Sequence, residues 1–150
     1  MYTLVLIVHS WLRWGAIFAG LLAFRSLASK RPDTAGAGER WTLFFMIALD
    51  VQMLLGLLLY FALSPNMAAI LDNFAGAMRD PAARFWAVEH IGTMFAAVVA
   101  VHVGRVLARK APTPEARRGR LLIAVALAVI LVLIATPWPG FANGRPLFRV

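Results

Sequence analysis

The chain has 150 residues, 61% of them hydrophobic and 15% charged, with a mean hydropathy of +0.76 and a formal net charge of +8. A soluble domain of this length could not hide so much apolar surface, so the composition points to a bilayer as solvent, within a single domain spanning residues 1–150. The absence of cysteine excludes disulfides, thiolate metal sites, iron–sulfur clusters and covalently attached haem. In a soluble protein the positive charge would suggest nucleic acid. Here the basic residues stand between apolar stretches, where they set topology, and no nucleic-acid partner is expected.

Four apolar spans follow in chain order: residues 2–24, 41–63, 85–107 and 121–136. The first three run to about 23 residues, near the ~20 that cross a ~30 Å hydrocarbon layer. The first lacks a basic leading region, contains Arg13 and stays apolar for too long for a signal peptide, so a retained helix is expected. Its connector to the second span, with Pro32, Gly36 and Gly38, reads as a flexible loop. After the second span, Ser64-Pro65 opens a stretch in which Met67, Ile70, Leu71, Phe74 and Met78 recur at helical spacing, ended by Asp80-Pro81. This predicts one short amphipathic helix on the outer surface, capping whatever lies beneath. The fourth span is shorter and stops at Pro137-Trp138-Pro139.

The segments after spans one and three carry Arg25, Lys30, Arg31, Arg40, Arg105, Arg109, Lys110, Arg117, Arg118 and Arg120, whereas the other side has Arg79, Arg84, Arg145 and Arg149. The positive-inside rule therefore places those two loops in the cytoplasm and both termini outside. The expected fold is an all-α, up-down-up-down four-helix membrane bundle.

Ionisable groups within membrane helices are costly, so each is a site hypothesis. His9 lies roughly 10 Å below the outer end of its span, and His90 roughly 8 Å below the same face. Helices one and three are diagonal partners in such a bundle, so the two imidazoles can face each other as the axial ligands of a haem b. Gly56 falls about 10 Å from that face and lets a flat ring approach the backbone. Ala126 and Ala128 keep span four slim at a similar level. Arg84, Arg145 and Arg149 are candidates to neutralise haem propionates. The alternatives are purely structural polar contacts, or a copper or zinc site using His9, Glu89 and His90.

A second coincidence joins Arg13, about 18 Å from the outer face, to Asp50, about 14 Å from the inner one. In a ~30 Å core these meet, and an ion pair is the cheapest way to bury both. Glu89, turned about 100° from His90, and Gln52 are expected around the ligands rather than on the metal. His102 has no second histidine at its depth and reads as an interfacial polar residue.

The run from His9 through Arg13 to Trp14, the Glu89-His90 pair, and the ending from Pro137 through Trp138 and Pro139 to Arg145 and Arg149 resemble a group of small bacterial four-helix membrane proteins commonly labelled cytochrome b. In outline the chain is also similar to cytochrome b561-type and copper-resistance-D-type bundles. The resemblance covers most of the chain and implies haem b held by His9 and His90, in a bacterial inner membrane. It implies electron transfer, with quinone or a redox protein as candidate partner. The two histidine pairs at opposite faces typical of the b561 pattern are missing, which argues against two haems in series. Association as a homo-oligomer or as a subunit of a larger complex stays open, as does a non-redox role in assembly.

Overall fold

A computed structural model of the chain describes residues 1–29, 35–141 and 143–148. Its elements are α1 (Tyr2–Ala28), α2 (Ala35–Leu58) continued by a π turn (Leu59–Leu63), α3 (Pro65–Asp72), α4 (Phe74–Ala77), α5 (Pro81–Arg84) continued by a second π turn (Phe85–Glu89), α6 (His90–Arg109) and α7 (Pro114–Ala135). The described residues contain no strand. Four segments, Tyr2–Ala28, Gly36–Leu63, Pro81–Arg109 and Pro114–Ala135, are long and apolar enough to cross a membrane. The chain is thus an all-α, multi-pass membrane protein.

The helix starts are written locally. Ser64, Asp80 and Thr113 each precede a proline at the first helical position, where its missing N–H is harmless. Each also accepts a hydrogen bond from the first turn: Ser64 Oγ from Met67 N (3.3 Å), Asp80 Oδ1 from Ala82 N (2.8 Å) and Thr113 Oγ1 from Ala116 N (3.2 Å). The cap at Thr113 starts the fourth helix earlier than the expected 121. Its first turns carry Arg117, Arg118 and Arg120, which close the ends of neighbouring helices. Arg118 donates to the carbonyls of Leu27 and Ala28 at the end of α1. Arg120 donates to Leu107 O (2.7 Å) near the end of α6, and Arg117 pairs with Glu39 (2.6 Å). The guanidinium of Arg118 thus meets carbonyls at the end of α1 that the helix leaves unpaired, and that of Arg120 adds a second donor to Leu107 O, which also accepts from Lys110 N.

Two expectations are corrected here. Gly36 and Gly38 lie inside α2 and not in a loop. A Cβ on Gly38 would meet Leu27 Cδ2 at 2.8 Å, and Thr42 Oγ1 donates to its carbonyl (2.7 Å), so the glycine admits a close helix contact. Pro32, Lys30, Arg31 and Arg149 lie outside the described residues. The single amphipathic helix after span two is instead α3 and α4, broken at Asn73, whose side chain caps the second piece by accepting from Gly76 N (3.1 Å). Met67 and Ile70 are buried as the spacing implies, while Leu71 and Phe74 face outward.

α1 packs along α2 and α7, and α6 along α7 and α2, so α1 and α6 stand on a diagonal. The interior is alanine-rich (Ala16, Ala23, Ala97, Ala108 and Ala128 are nearly inaccessible) around Phe45, Leu27, Val101 and Val125. Small residues let helices approach where lipid, being equally apolar, supplies no hydrophobic drive. The outside is the inverse of a soluble surface, with Leu54, Phe95, Ile123 and Ile134 exposed. A smaller cluster of Met67, Ile70, Ala77 and Ala87, packed with Tyr60 and Trp86, joins the short helices to the ends of α2 and α6.

Candidate functional site

Between the diagonal helices and under α3 lies a cavity of about 160 Å³. His9 from α1, Gly56 and Gln52 from α2, and His90 from α6 line it, with Asn66 and Met67 of α3 closing it above. A Cβ placed on Gly56 would come within 3.4 Å of His9 Cε1, so this glycine faces the imidazole directly. Methionine and aliphatic side chains, among them Met53, Met94 and Leu59, make the remaining wall largely apolar.

The two π turns frame this layer, and no sequence pattern announced them. Tyr60 in one donates its hydroxyl to Ala87 O in the other (2.7 Å), and Ala87 is small and buried enough to admit it. The wider turn before His90 also aligns residues five apart. Arg84 and Glu89 accordingly form an ion pair at 2.7 Å.

His90 Nδ1 lies 2.8 Å from Ala135 O, at the end of α7. A carbonyl only accepts, so Nδ1 carries the proton and Nε2 is left with its lone pair. Phe85 and Trp86 flank the ring, with centroids at 5.8 and 5.5 Å. His9 is anchored differently. Its backbone carbonyl accepts from Gln52 Nε2 (2.9 Å), while its Nδ1 is buried without a hydrogen-bond partner among the described residues, as is Gln52 Oε1.

Of the arginines expected at the outer face, Arg145 reaches the cavity wall, with its guanidinium 5.1 Å from the Trp86 ring centroid. Arg84 does not line the cavity and is engaged by Glu89. Glu89, expected near both histidines, does not line the cavity and pairs with Arg84. No group of three or more His, Cys, Asp or Glu side chains is arranged to hold a metal among the described residues.

The expected Arg13–Asp50 pair is not formed. Arg13 donates through Nη2 to Leu147 O (2.9 Å), on the C-terminal tail that folds back against α1. Asp50 Oδ2 faces His102 Nε2 at 3.6 Å instead. The reason is azimuth, which depth arithmetic ignores. Gln52 touches α1, and a residue two positions earlier is turned by about 200°, toward α6. His102 consequently has the partner that the sequence did not offer it.

The tail itself was also missed. Trp14 Nε1 donates to the same Leu147 O (3.0 Å), and Phe148 stacks on Trp14 with centroids 5.6 Å apart. The only signal in the sequence was the density of Trp and Phe near both ends of the chain.

Searches of family models, curated proteins and solved structures return no match for this chain.

Proposed function

We propose that the chain is a b-type cytochrome of a bacterial inner membrane. In this reading its four spans alternate in direction, both termini lie on the outer side, and one haem sits near that face between His9 and His90. The observation that carries it is the cavity shared by two histidines from helices that do not pack on each other, one of them already oriented by the Ala135 carbonyl. An outer hydrogen bond that fixes a ring's tautomer is a regular partner of metal-ligating histidine.

The residues present suit the group. Gly56 leaves room beside His9, the wall is largely apolar, and Arg145 offers a positive charge to a carboxylate at the cavity edge. Haem supplies one-electron exchange when bound, and two histidine ligands favour a carrier over chemistry at the metal. Quinone or a redox protein would be the exchange partner.

The test is the visible spectrum of protein purified from cells with ample haem, before and after dithionite. A sharpened reduced α-band is expected. It should be lost or weakened in His9→Ala and His90→Ala and kept in His102→Ala. A colourless preparation, or equal haem retention in all three variants, sinks the reading. The competing reading is a non-redox membrane subunit, favoured by the His90–Ala135 bond, which a purely structural histidine would make equally well. That subunit would be colourless and would keep its fold without haem.

A further inference from the structure

His9 and His90 face one cavity but are held unequally. His90 has its Nδ1 proton committed to a main-chain carbonyl, so no side-chain change can remove that acceptor. In His9 the corresponding atom, Nδ1, is buried and has no hydrogen-bond partner among the described residues.

The complementary orphan sits beside it. Gln52 is over nine-tenths buried, lines the same cavity, and is already tied to residue 9 through Nε2 donating to the His9 carbonyl (2.9 Å). Its other terminal atom, Oε1, is an acceptor with no donor among the described residues. A buried donor and a buried acceptor left unpaired in the same pair of residues are each costly, and one bond between them would relieve both. The structure does not make that bond, and forming it requires the imidazole or the carboxamide to turn.

We infer that Gln52 is the positioning residue for His9: its Oε1 accepts the Nδ1 proton, fixes the ring's tautomer and presents Nε2 to the cavity. The carboxamide then clamps residue 9 at two points, main chain and ring, using its donor and its acceptor separately. A leucine at position 52 would lose both bonds. A glutamate would keep an acceptor in the same place, which separates orientation of the ring from mere support of α1. The consequence for metal binding rests on the haem reading above; the tautomer does not.

Two measurements divide these. The first is the ¹⁵N spectrum of histidine-labelled protein prepared without haem, simplified by there being three histidines. His9 is expected with its proton on Nδ1 in the wild type. The proton should redistribute toward Nε2 in Gln52→Leu, return to Nδ1 in Gln52→Glu, and leave His90 unchanged throughout. The second is haem affinity, expected to fall ~10- to 100-fold in Gln52→Leu, the usual effect of losing such an outer partner, and to recover in Gln52→Glu. Should Gln52→Leu fail to fold, Gln52→Asn, which keeps the amide but shortens its reach, carries the same expectation. An unchanged His9 tautomer in the folded variant overturns the inference. A wild type that takes up no haem overturns the cytochrome reading, while the ¹⁵N comparison still decides the role of Gln52.

Discussion

Asp50 and His102 face each other at 3.6 Å from α2 and α6, each within a segment long and apolar enough to cross a membrane. His102 Nδ1 is spent on Val98 O (3.0 Å), one turn back on its own helix, so the contact with Asp50 is made by Nε2. The contact brings two polar groups of neighbouring helices together, at about half exposure and on the flank of the bundle rather than in its centre.

A double-mutant cycle should find that link. Asp50→Asn and His102→Ala, separately and together, are expected to show a coupling of about 0.6 kcal/mol, and not above ~1.7, as for polar contacts between membrane helices. Unfolding in detergent or bicelles measures it. The cycle pairing Asp50→Asn with Arg13→Leu should give no coupling; a sizeable one would restore the pair that the structure breaks.

Glycines at two depths should respond differently to an added methyl. At Gly104 a Cβ would collide with Ala124 Cβ, so Gly104→Ala must separate α6 from α7, at a cost of roughly 1–3 kcal/mol. At Gly56 the nearest side-chain atom is His9 Cε1 at 3.4 Å, and Gly56→Ala should leave stability within ~0.5 kcal/mol. Gly56→Leu would fill the cavity and abolish haem uptake in a folded protein. Equal melting of Gly104→Ala and wild type would show that the helices are not so close.

Of Arg84 and Arg145, the two described arginines expected to meet propionates, only one should matter to a bound haem. Arg145→Ala removes the charge at the cavity edge together with its contact on Trp86, itself worth about 0.5–1 kcal/mol. Haem retention is expected to drop. Arg84→Ala opens an exposed pair with Glu89 worth under ~1 kcal/mol and should leave retention unchanged. The reverse order in a haem-release assay would reassign the charge partner.

The tail fold makes a prediction independent of any cofactor. Trp14→Phe keeps the aromatic stack with Phe148 but loses the bond to Leu147 O, a loss of about 0.5–1.5 kcal/mol. Arg13→Leu removes the charged donor to the same oxygen and should cost about 1.5–3 kcal/mol. Hydrogen exchange over residues 140–148 should rise in both variants, more in the second. Unchanged protection would mean that the tail is held by other contacts.

How far the sequence reached depends on which quantity a residue encodes. Span number follows from apolar run length against a ~30 Å layer, and each of the four long helices overlaps a run it implied and extends beyond it. Ser64, Asp80 and Thr113 before proline state their helix starts within three residues of chain. Depth is equally local, because it is a rise of ~1.5 Å per residue from a boundary. It put His9, Gly56 and His90 at one level, and the structure brings all three to one cavity.

Rotation about each helix axis is not local. It is set by which alanines and glycines let which helices touch, a property of the packed bundle. This is why Asp50 turns to His102 and not to Arg13, and why Arg13 serves the returning tail. The two π turns, the Tyr60–Ala87 bond between them and the His90–Ala135 bond are likewise products of packing. The sequence by itself determined an apolar four-span chain and the height of each polar group in it. Only the tertiary structure decided which of those groups face each other, because height is summed along one helix whereas facing requires two.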